Sequence, residues 1–388
     1  MAIGVDQYAM KPAFSSEFAL DDDLIHLNHA AVAPWPRRTV DAVTRFAREN
    51  MQRGSWNYPE WLQTESQLRQ RLAALLHAPS VDDIALVKNT SEALSFVAAG
   101  IDWQHGDNIV SSNQEFPSNR IVWESLADKG VELRQAELNS SASPEDALFA
   151  LVDSKTRLIA ISSVQYGTGL RMDLPRIGRF CREHGILYCV DAIQSVGAVQ
   201  FDVQAIEADF VAADGHKWML GPEGLGFFYT RSEIRDSLKL TQYGWHMVEA
   251  IGDFDRTAWR PAASARRFEC GSPNMLAIQA LNASLSLLLE VGMETVEKRV
   301  LDHSRRLIGA LQQLPAAEVI TPVAEGRFAG IVTFRIAGHE NQAIFDALHA
   351  HGVFCAQRAG GIRLSPHFYT PDDRLEAALN ALKSALLL

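Results

Sequence analysis

Asp191 and Lys217 carry the chemistry in this sequence. The apolar run 186–190 ends in Asp191, a second apolar run leads into Gly215-His216-Lys217-Trp218, and the lysine follows the acid by 26 positions. An acid and a lysine at the carboxyl ends of two successive buried strands suit pyridoxal phosphate. A fixed carboxylate keeps the ring nitrogen protonated, so that the ring accepts electrons from a substrate carbanion, and an amine forms the imine. Gln194, three residues past the acid, is placed to reach the phenolic oxygen of the ring. Trp218 would exclude water from the lysine, and partial desolvation lowers an amine's pKa and eases imine exchange. The turn Asn89-Thr90-Ser91-Glu92 offers free backbone N–H groups and hydroxyls to an anion. Taken alone, that turn is better explained as a helix N-cap. The anion turn, the acid and the lysine in this order favour the cofactor.

Such residues need a sheet to align them. The segments 84–88, 108–112, 131–134, 158–164, 186–190, 210–213 and 224–229 are strand candidates, with helical patterns between most of them. Strands apolar along their whole length and separated by helices imply a mostly parallel sheet covered on both faces, which binds ligands at its carboxyl edge. After about residue 232 the pattern changes. A polar, aromatic segment, 241–267, precedes a long helical run over 276–314 broken at Gly292, and strands at 318–321, 330–335, 353–357 and 361–364 surround a helix over 341–351. The expectation is an α/β fold with a mostly parallel seven-stranded sheet and a smaller α+β C-terminal domain. Its divisions are an N-terminal arm over 1–25, a large cofactor-binding domain over 26–285 and a small domain over 286–388, on which the N-terminal segment is able to pack.

The balance of 36 basic and 47 acidic residues gives a net charge of −11, which argues against a nucleic-acid surface or an anionic membrane partner. No stretch has the apolar length of a transmembrane helix, and residues 1–18 lack the layout of a signal peptide. Four cysteines in mostly apolar runs fit a reducing compartment, and a cytoplasmic location is expected. Two groupings resemble metal ligands, Cys181 with His184 and Cys189, and His26 with His29. Neither has a second ligand pair at zinc-site spacing, so no metal is expected. Gly221, Gly224 and Gly226 suggest a dinucleotide fingerprint, but they lead into a strand where that motif opens a helix.

Seven segments, LNHAAVAP (27–34), NTSEAL (89–94), EFPSNR (115–120), VDAIQSVG (190–197), DGHKWMLGPEGLG (214–226), RFECGSPN (267–274) and IRLSPHFY (362–369), together resemble the class V aminotransferases. These are fold type I pyridoxal phosphate enzymes that include cysteine desulfurases, kynureninases and isopenicillin-N-epimerase-like proteins. The resemblance covers nearly the whole chain. It implies that Lys217 forms the internal aldimine, Asp191 pairs with the ring nitrogen and Gln194 contacts the ring oxygen. It further implies that Thr90, Ser91 and His216, with Glu92 in the same turn, serve the phosphate, and that Phe116 stacks on the ring near Tyr166. Gly271 and Ser272 would reach the neighbouring subunit's phosphate in a homodimer with shared sites. Arg363 would bind the substrate carboxylate, a task that suits a bidentate guanidinium, and His29 and Tyr243 are substrate-pocket candidates, with Trp245, His246 and Arg358.

Three positions depart from the family pattern. Phe116 stands where desulfurases carry a histidine, Tyr166 where many relatives have asparagine, and Asp214 where serine is common. An anionic Asp214 beside phosphate is unfavourable, so its side chain is expected to turn away. Cys355-Ala356-Gln357 reads like the catalytic CAQ of one desulfurase branch. That cysteine needs a flexible loop, and apolar neighbours only eight positions before Arg363 indicate a buried strand cysteine instead. The resemblance implies an enzyme that binds a small amino acid as an external aldimine. Transamination is the first expectation. C–S lysis of cysteine or cystine and epimerisation are alternatives, and a non-catalytic cofactor-binding protein is a reading of another class.

Overall fold

A computed structural model describes residue 14 and residues 16–139 and 143–386 of the chain. Its main sheet comprises β2 (Ile84–Val87), β3 (Asn108–Ser112), β4 (Glu132–Ala136), β5 (Thr156–Ser162), β6 (Leu187–Asp191), β7 (Phe210–Asp214) and β8 (Gly226–Thr230). The seven strands lie in the order β2-β8-β7-β6-β5-β3-β4. Only β8 runs against its neighbours, so every other strand ends at one edge.

Alternate residues serve opposite faces, as a pleated strand requires. Val110, Ile159, Ile161, Tyr188, Val190, Val211 and Ala213 pack into one core with Leu68 and Leu72 of α2 (Tyr58–Leu76), which follows α1 (Arg37–Arg53). Ile109, Leu158, Ala160, Cys189, Phe210 and Ala212 pack into another, with Leu94 and Val97 of α3 (Thr90–Gly100). Cover on both faces explains why these strands read as unbroken apolar runs. It also puts Cys189 and Cys181 on opposite sides of the sheet.

The short helices α4 (Ser118–Glu124), α5 (Pro144–Phe149) and α6 (Leu174–His184) join successive strands. The long run after residue 274 forms α7 (Met275–Val291) and α8 (Met293–Gln312), bent by 84° at Gly292, whose φ of 86° a side chain would resist. The second domain is a four-stranded antiparallel sheet, β12-β13-β10-β9, made of β9 (Ala317–Val319), β10 (Val332–Ile336), β12 (Ala356–Arg358) and β13 (Gly361–Leu364). It is packed by α9 (Asn341–Ala350) and α10 (Asp372–Ala385). Among the described residues no single helix is long and apolar enough to cross a membrane.

Two expectations about this half differ from the packing. The strand read over 353–357 is two strands: β11 (Val353–Phe354) pairs in parallel with β1 (Ile25–His26), and after Cys355 the chain enters the four-stranded sheet as β12. An apolar run carries no mark of a change of partner. The division at residue 285 falls inside the first core, which takes Leu285 and Leu288 of α7 and Val296 and Val300 of α8. Leu307 and Leu311 of the same α8 join the second core, together with Ile25 and Leu27.

A half-buried ion pair ties the halves together. Arg327 donates from Nη1 and Nη2 to the two oxygens of Glu145 at 2.7 and 2.9 Å, and Glu145, fully buried, also accepts from the backbone N–H of Asp173. Burial pushes the Glu145 carboxyl up, but the hydrogen bonds from Arg327, Asp173 and Ser143 outweigh it and hold the pKa down at about 2. Because the folded-state value lies below the ordinary one, this group stabilises the fold above about pH 4.5 and loses that contribution as pH falls through 2. Arg327→Ala strands the carboxylate and is expected to cost about 3 kcal/mol in urea unfolding. It should also shift the acid-unfolding midpoint, followed by circular dichroism, to higher pH.

Candidate active site

The carboxyl edge of the sheet opens into a cavity of about 290 Å³, near the lower end of small-molecule sites at roughly 300 Å³. Asp191 ends β6 and Asp214 ends β7, and both line the cavity. Lys217 enters it from the turn after β7, and Thr90 and Ser91 enter from the first turn of α3. Phe116, Ser118, Tyr166, Ile193, Gln194, His216 and Glu223 complete the large-domain wall, and Arg358 and Arg363 close it from the second domain.

Local contacts fix each side chain. Ile193 donates its backbone N–H to Asp191 Oδ1 at 3.0 Å, turning the carboxyl toward the cavity. Gln194 donates through Nε2 to the carbonyl of Ala30 at 3.0 Å and accepts at Oε1 from the indole N–H of Trp218 at 2.8 Å. That leaves one amide hydrogen free to face the cavity. Gly197 lets this loop close on the lysine turn. Its φ is 94°, and a Cβ there would lie 2.3 Å from the carbonyl of Trp218. Trp218 is fully buried, and His367 Nε2 lies 3.0 Å from its carbonyl.

Asp191 and Lys217 are buried without forming an ion pair. Burial raises the Asp191 carboxyl to about 7, with the nearby Glu115 charge adding to the effect against the hydrogen bond from Ile193 and the attraction of Lys217. Burial also lowers the Lys217 amine to about 8, against the attraction of Asp191, and Arg363 lowers it further. Lys217 Nζ lies 5.5 Å from the centroid of the Phe116 ring, which meets the Tyr166 ring edge-on at 5.1 Å. Arg363 is buried, and its fork donates to the carbonyl of Tyr166 at 2.8 Å and to Asn28 Oδ1 at 3.2 Å. Its Nε has no partner, and no carboxylate among the described residues forms an ion pair with it. Burial pushes its pKa down to about 10.

These residues fit pyridoxal phosphate. Thr90 Oγ1 is buried with no hydrogen-bond partner at the N-terminus of α3, where backbone N–H groups and the helix dipole favour an anion. The acid and the amine sit in the same cavity. Arg363 offers an unneutralised guanidinium on the opposite wall.

Several expected residues stand elsewhere. Glu92 turns back, accepting from the backbone N–H of Lys88 at 2.7 Å, and lines a second cavity of about 140 Å³, which Gly271 and Ser272, expected at a neighbouring subunit's phosphate and not at this chain's own, also line. His29 is sealed in the core, its ring nitrogens 2.8 Å from the carbonyl of Ser365 and 2.7 Å from the Tyr369 hydroxyl. Tyr243 is exposed and lines a separate 430 Å³ cavity with Trp245 and Trp259. His246 is buried beside Glu65 and Glu269, whose carboxylates Arg69 already bridges. Asp214 lines the cavity, with Oδ1 3.2 Å from Nδ1 of His216.

Glu115 was missed in the sequence. It lies buried beneath the site and accepts from Ser112, Asn119, Gln165 and Ser162, the last through both its backbone N–H and its hydroxyl. Its one signal is an acid beside Phe116 in a motif otherwise read for its aromatic residue.

The model of the family "Aminotransferase class-V" matches residues 25–369. The chain belongs to the class V aminotransferase family. A protein named probable cysteine desulfurase from Methanothermobacter thermautotrophicus is 30% identical over 380 residues, covering 91% of this chain and 92% of that one. A cysteine desulfurase from Salmonella agona is 28% identical, covering 85% and 82%. The solved structure of the cysteine desulfurase CsdA from Escherichia coli superposes with a TM-score of 0.86 at 25% identity over 97% of this chain and 99% of that one. As a class V enzyme, the protein uses pyridoxal 5′-phosphate as its cofactor.

An amine attacks an aldehyde only as the free base, so a Lys217 pKa near 8 sets the pH dependence of cofactor capture. Stopped-flow absorbance of cofactor-free protein mixed with pyridoxal phosphate should show a rate that rises with pH and levels above about 8. An ordinary lysine would still be climbing near 10. Lys217→Ala should show no capture at any pH.

Proposed function

We propose that the protein cleaves the C–S bond of a cysteine-type amino acid by β-elimination, with cystine as a model substrate. Relatives named cysteine desulfurases favour C–S chemistry over transamination. One structural observation favours elimination over sulfur transfer to the enzyme: none of the chain's four cysteines lines the cavity. Passing sulfur to an enzyme thiol needs a thiolate that reaches the substrate. Cys355 is buried in the second core, and burial pushes its thiol up to about 12. The loop that would carry it is missing, because β12 turns directly into β13 through Ala359 and Gly360.

When bound, pyridoxal phosphate supplies the electron-accepting ring for the pair left at Cα. Thr90 Oγ1 and the first N–H groups of α3 would hold the phosphate. Asp191 would accept the ring N–H, its charge restored by the cation it meets. Of five N–H groups on Arg363, two are used by the protein, which leaves donors for a bidentate grip on the α-carboxylate. Lys217 Nζ, which burial favours as the free amine, would take the α-proton and, as the ammonium so formed, give it to the departing sulfur. The Cβ–S bond breaks with its electron pair on sulfur, and the three-carbon remainder takes up one water to give pyruvate and ammonium. From cystine the other product is cysteine persulfide. The buried, unneutralised Arg363 also speaks against a non-catalytic protein, since a guanidinium without an anion costs stability.

The products decide the reading. Cystine should yield pyruvate, measured by coupling to lactate dehydrogenase, and Cys355→Ala should keep the wild-type rate. Alanine formed from cysteine, and lost in Cys355→Ala, would establish a desulfurase instead. Amino transfer to a keto acid without pyruvate from cystine would establish an aminotransferase.

A further inference from the structure

The hairpin that displaces Cys355 sets a second arginine beside the first. Ala356 pairs with Arg363, and Arg358 pairs with Gly361. Side chains two apart on a strand share a face, so Arg358 and Arg363 are diagonal neighbours on one face of β12–β13. Both line the cavity. The turn residues Ala359 and Gly360, with φ of 49° and 73°, fix the register, so that Arg358 is held on this face.

Like charges on neighbouring strand positions repel unless an anion separates them. Arg358 forms no ion pair among the described residues, and its guanidinium donates only to the carbonyl of Gln357 at 2.6 Å. After burial, its charge is the next cause of the lowered Arg363 pKa, and it contributes to that of Lys217. Arg363 has enough free donors for an α-carboxylate without help. The phosphate cradle belongs to α3 in the other domain. Arg358 is exposed, at the solvent side of the cavity, where a substituent on the substrate's sulfur would end.

Resting on the C–S cleavage proposed above, we propose that Arg358 recognises an anionic group on the sulfur substituent. The preferred substrates are then S-substituted cysteines with a distal carboxylate or sulfonate. Cystine offers the carboxylate. S-sulfocysteine offers the sulfonate, and its elimination gives thiosulfate, pyruvate and ammonium.

The test uses the cofactor-loaded enzyme with cystine, S-sulfocysteine, neutral S-methylcysteine and cationic S-(2-aminoethyl)cysteine. Each is measured by pyruvate release and by titration of the cofactor absorbance. In Arg358→Met, the ratio of kcat/KM for either anionic substrate to that for S-methylcysteine should fall about tenfold, the scale of one charge-assisted hydrogen bond, and the change should lie in KM. Arg358→Glu should turn the preference toward the aminoethyl compound. A drop confined to cystine or to S-sulfocysteine identifies which anion is read. An equal loss on all four compounds would mean that Arg358 serves the α-carboxylate or the fold, and would overturn the proposal. If no compound yields pyruvate, the elimination reading fails by itself. The absorbance titrations then decide recognition: ranking by charge that Arg358→Met abolishes supports it, and no ranking overturns it.

Discussion

Dehydrating an acid and an amine in one cavity, without letting them neutralise each other, is the constraint that organises this molecule. Asp191 and Lys217 are each pushed toward their neutral forms, the acid upward and the amine downward, mainly by burial. A sheet covered on both faces enforces that burial, because every strand that ends at the cavity is apolar along its length. Pyridoxal phosphate answers both demands. Its protonated ring nitrogen would give the carboxylate a cation, and its aldehyde would give the amine a partner that needs the free base. The same desolvation that weakens the fold locally is therefore what prepares the site for its cofactor.

The second domain decides what else enters the cavity. Its β12–β13 hairpin places Arg363 and Arg358 on the wall, while the residue that precedes it, Cys355, is drawn into the core. One short turn therefore supplies two cations and withholds a thiol. A longer connection would relax both effects, since register is fixed by loop length and turn type.

Much of this was legible in the sequence, for a physical reason. Strands buried on both faces leave continuous apolar runs, and a chemical group at a strand's carboxyl end follows such a run directly, so Asp191 and the lysine turn could be placed before any coordinates. The bend at Gly292 was equally plain. Residues whose position depends on tertiary partners were not. His29 is claimed by Ser365 and Tyr369, more than three hundred positions away. Tyr243 belongs to an aromatic segment with its own cavity, whereas Glu92 is turned by a local contact, the backbone N–H of Lys88 four positions before it. The break at Cys355 was invisible because Val353 and Ala356 are both apolar while pairing with different sheets. Glu115 escaped because an acid satisfied by five donors looks, in sequence, like any surface glutamate.

The proposed bond-breaking and recognition groups thus sit on different sheets. Asp191, Lys217 and the α3 turn belong to the main sheet, whereas the two arginines belong to the four-stranded sheet. That domain is held against the first by the Glu145–Arg327 pair, by the bridge between Leu170 and Phe328, and by Arg363 itself, which donates to Asn28 and to the carbonyl of Tyr166. A carboxylate bound by Arg363, as proposed, would add a further link in the same direction, so that substrate binding and domain docking would reinforce each other. Changes to the hairpin or to the domain contact should accordingly act on affinity before they touch the chemical step. Changes at the sheet edge act on the step itself.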